Sequence, residues 1–435
     1  MSLLLRDGRV LTLDASGRMF RGDVRIEDGV VSHLGEDVPQ QADEVIELDG
    51  DLVLPGFVNA HTHAAMTLLR GLGEDLALED WLRSRIWPAE AYLTAADVAA
   101  GSDLALVEMA RTGTVAFNDM YFFADTTIER TRAAGLRANI AATLIDFDTP
   151  EMAQDAQIDY ARDFIARYQD DALIRPTLGP HATYTCSADT LDAVRDLHQA
   201  SGAPVHTHCS ETRHEVQDVL SRHGARPLEV LDRHGLTDGA ILAHCGWVTK
   251  EEVRQMARRG AHAAHCPVSN LKLGTGGTMP LEEMREAGVN IALGTDGAAS
   301  NNTLDILETA KFTALIQKNH RWDARAAPAD AVLRMATLGG RRALGLDADG
   351  LVKGARADLA IVRTDAPHMT PLYDPIAALV HAANGHDVRA TIVGGRVVYQ
   401  DGAYPTLDVP RIMARAREHG ARLAAQAADA AADRR

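Results

Sequence analysis

Short stretches in which apolar and polar residues alternate occur at both ends of the chain. A period of two residues is typical of strands with one buried face, and Gly- and Asp-rich turns separate the stretches. The first fifty residues predict strands at Ser2–Asp7, Arg9–Asp14, Gly22–Glu27, Val30–Gly35 and Val45–Asp49. The same pattern returns at Asp358–Arg363 and Val388–Gln400. We therefore expect a small β-sandwich domain built from both termini, residues 1–55 plus 350–405.

Between these ends, short apolar runs alternate with amphipathic stretches. The apolar runs predict eight strands, at Val53–Asn59, Thr114–Asp119, Arg137–Thr143, Leu173–Gly179, Pro204–Cys209, Ala240–Cys245, Ala261–His265 and Asn290–Thr295. Helical periodicity lies between them, at Thr94–Thr112, Thr126–Ala134, Asp155–Tyr168, Ser187–Ser201, Thr212–Arg222 and Lys250–Arg259. Eight strand-then-helix units are typical of an α/β fold with a parallel (β/α)8 TIM barrel, which we predict over residues 56–349. The Ala- and Arg-rich stretch 406–435 predicts a C-terminal helical tail.

Composition narrows the possible partners. The 435 residues carry a formal net charge of −17, which argues against binding to nucleic acid or to anionic membranes. We find neither a signal peptide nor a run of about 20 apolar residues that could span a membrane. The four cysteines are dispersed, without a CxxC pair. A cytoplasmic protein with a small-molecule substrate is expected.

The first candidate for chemistry is a His-x-His pair, His61 and His63, at the end of an apolar strand. Residues i and i+2 of a strand point to the same side, so both imidazoles can reach one metal ion. A second strand ends in His208, and Glu211 follows three residues later. His206 faces the same side as His208. We prefer His208 as a ligand because it lies nearer the rim, and we interpret His206 as a core residue or a partner of a ligand.

Two more polar residues end predicted strands, His244 and Asp296. An aspartate at such a position usually caps the next helix, so Asp296 alone is weak evidence. Together, three imidazoles and a carboxylate suit Zn²⁺ or Fe²⁺. A catalytic ion of this kind lowers the pKa of a bound water from ~15.7 towards ~7 and so provides hydroxide at neutral pH. Glu211 is then placed to move protons, and His244 and Asp296 to orient or deprotonate the water.

Lysine usage bears on the number of metal ions. Two-metal relatives of this barrel architecture often bridge their ions with a carbamylated lysine located before the third histidine ligand. The first lysine of this chain is Lys250, which comes after that position. We therefore predict one divalent metal ion per subunit, with zinc favoured over iron.

Four segments with this chemistry, PGFVNAHTH, HTHCSET, AHCGW and LGTDGAASNN, occur in the order found in the amidohydrolase superfamily. The chain resembles that superfamily over nearly its whole length. It is most similar to the deaminases that act on S-adenosylhomocysteine, 5'-methylthioadenosine and 5'-deoxyadenosine. Longer segments carry this closer resemblance: HTHAAMTLLRGLGEDLALEDWLRSRIWPAEAYLT, GPHATYTCS, SETRHEV and HCPVSNLKLGTGG.

The resemblance implies a role for each matching residue. The implied metal ligands are His61, His63, His208 and Asp296. Glu211 matches the residue that protonates the purine nitrogen beside the attacked carbon, and His244 matches the histidine beside the attacking hydroxide. The implied substrate contacts are Glu90, which accepts hydrogen bonds from ribose hydroxyls, His181, and the pocket-lining Trp81 and Ser300. The implied reaction converts a 5'-modified adenosine to the inosine analogue and ammonia, in an enzyme that is commonly a homo-oligomer.

One departure from the resemblance concerns the 5'-substituent. Some homocysteine-adduct deaminases place an arginine after the third barrel strand, and the corresponding stretch Ile140–Asp146 has none. This favours smaller groups, as in 5'-deoxyadenosine or 5'-methylthioadenosine. The alternatives are a guanine- or triazine-type aminohydrolase or chlorohydrolase with the same metal centre, and a non-catalytic binding protein that kept the barrel.

Other conspicuous residues have ordinary interpretations. We interpret His265 and Asp119, which also end strands, as structural residues. Cys209, Cys245 and Cys266 adjoin strand-end histidines and are interpreted as packing residues, because nothing in the sequence indicates an activated thiol. For Trp87 and Trp247, the sequence does not decide between a place in the pocket wall and a place in the core.

Overall fold

The structure is a computed structural model that describes residues 2–432 and the side chains of residues 2–428. The last three residues of the predicted tail, 433–435, lie outside the described residues. The strands are β1 Ser2–Leu11, β2 Met19–Glu27, β3 Val30–Gly35, β4 Glu44–Glu47, β5 Leu52–Pro55, β6 Phe57–Thr62, β7 Thr114–Tyr121, β8 Arg137–Leu144, β9 Ile174–Pro180, β10 His206–Cys209, β11 Ile241–His244, β12 His262–His265, β13 Asn290–Leu293, β14 Leu359–Val362, β15 Val388–Val393 and β16 Arg396–Gln400.

Helices follow most strands of the middle region. The α-helices are α1 Leu78–Trp81, α2 Trp87–Glu90, α3 Ala95–Arg111, α4 Ala124–Ala134, α5 Gln157–Tyr168, α6 Ala188–Ser201, α7 Arg213–His223, α8 Pro227–Arg233, α9 Lys250–Arg259, α10 Pro267–Lys272, α11 Leu281–Ala287, α12 Ala298–Asn301, α13 Ile306–Arg321, α14 Ala329–Arg334, α15 Gly340–Ala343, α16 Pro375–His381 and α17 Val409–Ala432. Wider π turns occur at Leu82–Ile86 and Met335–Gly339, and short 3-10 turns at Ala64–Leu69, Gln154–Ala156, Pro367–Met369 and Gly385–Asp387.

The eight middle strands form two parallel four-stranded sheets, β6-β7-β8-β9 and β10-β11-β12-β13. Backbone contacts continue across both junctions. A parallel bridge pairs Leu178 with Val205 between β9 and β10. On the other side, the Asp296 N–H after β13 donates to the His61 carbonyl of β6 at 3.0 Å. The predicted α/β fold with parallel strands is confirmed.

The remaining eight strands form one mixed sheet from both ends of the chain, in the order β16-β15-β14-β5-β1-β2-β3, with β4 also paired to β1. A separate group of buried apolar residues, including Leu3, Val24, Leu359 and Ile392, packs on it. Strands from the two termini therefore pair as expected. Two packed layers, as in a sandwich, stay a prediction.

The sequence prediction of one strand over Val53–Asn59 is wrong, because β5 and β6 belong to different sheets. Gly56 separates them. A Cβ atom at this position would lie 2.2 Å from Cγ1 of Val115, so only glycine permits the chain to pass this close to β7. The result joins the mixed sheet directly to the strand that carries His61 and His63.

The C-terminal helix α17 packs beside the middle region. Leu423 and Ala427 contact an apolar group that includes Trp81 and Ile86, in the helical stretch 78–90, which we name the wall helix. His419 Nδ1 lies 2.6 Å from Asp97 Oδ1 on α3. None of the helices in residues 2–432 combines the length and the apolar character needed to cross a membrane.

Candidate active site

His61 and His63 lie at the end of β6, and the other ring nitrogen of each is already engaged. His63 Nδ1 contacts the Met120 carbonyl, which can only accept a hydrogen bond, so Nδ1 carries a proton and Nε2 is the nitrogen that faces Asp296 and could bind a cation. His61 Nδ1 lies 2.8 Å from His206 Nε2, and donation to that nitrogen leaves Nε2 of His61 free as well. Both Nε2 atoms face Asp296.

His208 and His244 show the same arrangement on two neighbouring strands, β10 and β11. His208 Nδ1 donates to the His181 carbonyl at 2.7 Å, and His244 Nδ1 lies 2.9 Å from Asn270 Oδ1. Each contact holds the imidazole through Nδ1 and turns Nε2 towards the common centre. The four histidines therefore present four Nε2 atoms to one buried region.

Asp296 follows β13 and adopts the left-handed backbone conformation, with φ of 63°, which is uncommon outside glycine. Ser269 and Ser300 donate to its Oδ2 at 2.7 and 2.8 Å, which leaves Oδ1 for the histidines. Burial opposes ionisation of Asp296, but His61 and His63 outweigh it and hold the carboxyl pKa well below its ordinary value. A Cβ atom at Gly294 would lie 2.9 Å from the His61 Cβ, so glycine lets the two strand ends approach.

The distances among these donors fit a divalent cation. Asp296 Oδ1 lies 3.4 Å from His61 Nε2 and 3.2 Å from His63 Nε2, while His63 and His208 are 3.4 Å apart at Nε2. Two overlapping sets, His61 with His208 and His244, and His61 with His63 and Asp296, have all donor atoms within 4.8 Å of one another. His61 Nε2 is buried and makes no hydrogen bond to any residue that the structure describes. Imidazoles and a carboxylate that converge in this way would be poorly satisfied without a cation.

Glu211 lies beside this centre. Its Oε2 is 3.7 Å from His244 Nε2, and its side chain is buried. Burial raises the pKa of Glu211, although the nearby His244 opposes the shift. Glu215 fixes the backbone here, because its carboxylate accepts hydrogen bonds from the Ser210 and Glu211 N–H groups at 2.9 and 2.6 Å. A carboxyl group with a raised pKa is suited to carrying a proton at neutral pH.

Glu90 ends the wall helix and faces the same cavity. Tyr121, at the end of β7, donates from its hydroxyl to Glu90 Oε1 at 2.7 Å. Burial raises the pKa of Glu90, and the Tyr121 hydrogen bond counteracts part of that effect. The second carboxylate oxygen remains available to a ligand. Tyr121 was not predicted from the sequence, although it stands in the NDMYF stretch two residues after Asp119, the last residue of the predicted strand Thr114–Asp119. The observed strand β7 continues to Tyr121.

The cavity that these residues share has a volume of about 510 Å³, within the range of small-molecule sites. It is lined by the remaining predicted contacts, His181, Trp81 and Ser300. His181 Nδ1 lies 2.9 Å from the hydroxyl oxygen of Thr185. Burial, together with the neighbouring histidines, lowers the pKa of His181 to about 3. A neutral His181 can therefore exchange hydrogen bonds with an uncharged ligand.

The structure brings together all of the predicted site residues, and it separates the other conspicuous ones from them. Trp87 lines the cavity, whereas Trp247 does not and donates to the Thr275 carbonyl. The four cysteines are buried, free and outside the cavity lining. Asp119 accepts a hydrogen bond from the Ala64 N–H at 2.6 Å, which supports a structural role. His265 is buried near His244, and neither ring nitrogen has a partner among the described residues.

Comparison with known protein families identifies the family of this chain. Residues 52–398 match the amidohydrolase family, which is well over half of the chain. The chain belongs to the amidohydrolase family. The match runs from β5 into β16, and so it includes every residue of the candidate site and the β5, β14 and β15 strands of the mixed sheet.

Individual members of the family are similar over nearly their whole length. The chain is 41% identical over 428 residues to 5'-deoxyadenosine deaminase of Methanosarcina mazei, covering 98% of this chain and 99% of that one. It is 43% identical over 424 residues to 5-methylthioadenosine/S-adenosylhomocysteine deaminase of Syntrophobacter fumaroxidans, covering 95% and 97%. Among solved structures, a zinc-bound adenosine deaminase from Xanthomonas campestris superposes with a TM-score of 0.93 at 36% identity, covering 97% and 98%.

Proposed function

We propose that this amidohydrolase is a metal-dependent aminohydrolase that removes the 6-amino group of a 5'-modified adenosine and releases ammonia. The observation that carries the proposal is the joining, in one cavity, of a histidine- and aspartate-lined centre with the buried carboxyl groups of Glu211 and Glu90. The substrates named for its similar relatives, 5'-deoxyadenosine, 5-methylthioadenosine and S-adenosylhomocysteine, define the class that we propose.

We assign one zinc ion to His61, His63, His208 and Asp296. The orphaned Nε2 of His61 and the inward-facing Oδ1 of Asp296 support this set. Zinc accepts both nitrogen and oxygen ligands, and the solved relative from Xanthomonas campestris holds zinc. When bound, the cation supplies a nucleophilic water by lowering its pKa from ~15.7 towards ~7.

Glu211 is the proposed proton carrier on the purine side. An adenine ring is a poor electrophile until its N1 is protonated, and a buried carboxylic acid can donate that proton. Glu215 holds the backbone of Glu211 through two hydrogen bonds, so the acid is delivered from a fixed position. Once N1 is protonated, an oxygen from water adds at C6 and the purine becomes tetrahedral at that carbon.

His244 and Asp296 are the proposed partners of the attacking water. His244 Nε2 makes no hydrogen bond to the described residues and lies 3.7 Å from Glu211, so it can hold the oxygen next to the proton donor. Asp296 can accept the first proton that this oxygen loses and pass it to the exocyclic nitrogen, and the second proton of the oxygen returns to Glu211, which restores the acid. The bond from C6 to that nitrogen then breaks. One water enters and one ammonia leaves, which gives the 6-oxo purine.

The other predicted contacts are proposed to bind the nucleoside. Glu90 accepts hydrogen bonds from the ribose hydroxyls through the oxygen that Tyr121 does not occupy. His181 contacts the substrate while its Nδ1 is held by Thr185. Trp81 and Ser300 shape the wall around the base. Because a free base lacks the ribose hydroxyls, Glu90 favours a nucleoside over a bare ring.

We also propose the finer architecture. The contacts between β9 and β10 and between β13 and β6 support closure of the eight parallel strands into a (β/α)8 barrel, residues 56–349. Residues 1–55 plus 350–405 then form the small sandwich domain, and residues 406–435 the helical tail. A cytoplasmic homo-oligomer is proposed as well, and analytical ultracentrifugation of the purified protein tests the oligomeric state.

The proposed function is tested by ammonia release from adenosine, 5'-deoxyadenosine, 5'-methylthioadenosine, S-adenosylhomocysteine, guanine and adenine. Elemental analysis of the same preparation measures bound zinc. We expect turnover of one or more 5'-modified adenosines and none of the free bases. Turnover of guanine alone, or of none of the six compounds by zinc-loaded protein, would refute the proposal.

A further inference from the structure

The cavity has two chemically different ends. Its inner end contains buried groups such as Glu211 and Asp296, which are 7% and 6% exposed. Its outer end contains Trp87 and Phe147, which are 41% and 42% exposed and are therefore at the mouth. Ligands enter through this mouth.

Apolar side chains make up most of the outer end. Trp87 belongs to the wall helix, and Phe147 belongs to residues 145–150, the loop after β8. The apolar lining residues on these two segments include Leu82, Trp87, Phe147 and Pro150, of which Trp87 and Phe147 are the exposed ones. An apolar wall favours ligand groups that lose little hydration on binding.

Apart from the histidines of the inner end, the ionisable acidic and basic side chains of the lining are all acidic. They are Glu90, Asp148, Glu211 and Asp296, and within the described part of the chain no lysine or arginine lines this cavity. Arg83 and Arg85 of the wall helix are exposed but do not line it. Asp148 is the acidic group at the mouth, where its Oδ1 accepts a hydrogen bond from the Gln154 N–H at 2.9 Å.

The orientation of a nucleoside in this cavity follows from the proposed function, on which this inference rests. The purine must reach Glu211 and the metal centre at the inner end, and Glu90 takes the ribose hydroxyls. The 5'-carbon is the remaining point of attachment on the ribose, so its substituent extends towards the mouth. It therefore meets the apolar wall and Asp148.

We propose that the outer end of the cavity favours adenosines whose 5'-substituent is neutral and apolar and rejects those whose 5'-substituent has a net negative charge. An anionic group at this position loses hydration against Trp87 and Phe147. It gains no cationic partner from the lining and is repelled by Asp148. A hydrogen or a thioether at the 5'-position has none of these costs.

Four analogues test the charge of the 5'-group: 5'-deoxyadenosine, 5'-methylthioadenosine, the cationic 5'-amino-5'-deoxyadenosine and adenosine 5'-monophosphate. We expect kcat/KM for the monophosphate to be at least about tenfold below that for the two neutral compounds. Because salt screens the repulsion, raising the ionic strength from about 0.02 M to about 0.5 M should increase kcat/KM for the monophosphate and leave the neutral compounds nearly unchanged. For the cationic amine, kcat/KM should be reduced less than for the monophosphate.

A matched pair of variants isolates Asp148. Asp148→Asn keeps the oxygen that accepts from Gln154 and removes the charge, and it should raise the ratio of kcat/KM for the monophosphate to that for 5'-deoxyadenosine by about threefold. Asp163→Asn, an exposed aspartate of α5 outside the cavity, should leave that ratio unchanged.

Two results would overturn the inference alone: equal kcat/KM for the monophosphate and the neutral compounds at low salt, or a monophosphate rate that falls as salt is added. Absence of ammonia from all four analogues would overturn the proposed function, and this inference with it.

Discussion

The inner and outer ends of the cavity are held in different ways. At the inner end, each of the four histidines has its Nδ1 fixed by a hydrogen-bonding partner, and Asp296 is fixed by two serines. At the outer end, the aromatic residues Trp87 and Phe147 are exposed. The wall helix that carries Trp87 has a surface contact instead of a buried one, from His214 Nε2 to Glu79 Oε1 at 3.0 Å. Buried, fully engaged groups fix the chemistry, while the exposed end is free to set which substituent is accepted.

The largest effect is expected at the inner end, from Glu211→Gln. An amide cannot protonate the purine, so kcat should fall by about 10²–10⁴-fold. Zinc content should be unchanged, because Glu211 is not an assigned ligand. Steady-state kinetics and elemental analysis measure both quantities. Glu251→Gln, in which the substituted side chain is 68% exposed on α9, is the control. Near-normal kcat in Glu211→Gln would refute the proton-carrier role.

A smaller effect is expected from Glu90→Gln, where the two ends of the cavity meet. The variant loses charge-assisted hydrogen bonds to the ribose, so kcat/KM for 5'-deoxyadenosine should fall about 10- to 100-fold, mainly through KM. Kinetics with 2',3'-dideoxyadenosine provide the check. Because this compound lacks the 2'- and 3'-hydroxyls, Glu90→Gln should lower its kcat/KM much less. An equal loss with both compounds contradicts ribose recognition by Glu90.

The effect of Tyr121→Phe should be smaller again. The variant keeps the ring and removes the hydroxyl that donates to Glu90 at 2.7 Å. One neutral donor to a carboxylate is removed, so KM for the nucleoside should rise about fivefold with little change in kcat. In a Glu90→Gln background, Tyr121→Phe should raise KM by a smaller factor than it does in the unchanged protein. Fully additive losses would show that Tyr121 acts independently of Glu90.

The smallest effect is expected at the surface of the wall helix, from His214→Gln. His214 and Glu79 are 71% and 48% exposed, and exposed ion pairs contribute little. KM and kcat should each change by less than about threefold. A tenfold or greater loss would mean that this surface pair, and not the buried contacts alone, holds the wall helix in place.

The sequence predicted the inner end better than the outer end, for a physical reason. His61, His63, His208, His244 and Asp296 each end an apolar strand, and strand ends of parallel sheets meet at one edge. The partners of these groups depend on contacts between distant segments. Nothing local in the sequence pairs Tyr121 with Glu90, which stands 31 residues away.

The predicted bounds of helices and strands show the same difference between local patterns and contacts between separate segments. The helix predicted at Lys250–Arg259 agrees with α9, because its polar and apolar positions are strongly periodic and Thr249 caps it. The two strands predicted at Ser2–Asp7 and Arg9–Asp14 are one strand, β1, with an irregularity between Leu5 and Gly8. There the Asp-Gly pair resembled a turn, but pairing with β2 carries the strand through it.

The pairing of β5 with β14 has a consequence for synthesis on the ribosome. Pro55 pairs with Leu359, about 300 residues later, so β5 lacks this neighbour until most of the chain has been translated. At about 5–20 residues per second, the interval is roughly 15 to 60 seconds. During it, the apolar Leu52–Pro55 edge is open to other nascent chains, and aggregation during overexpression is expected to begin there.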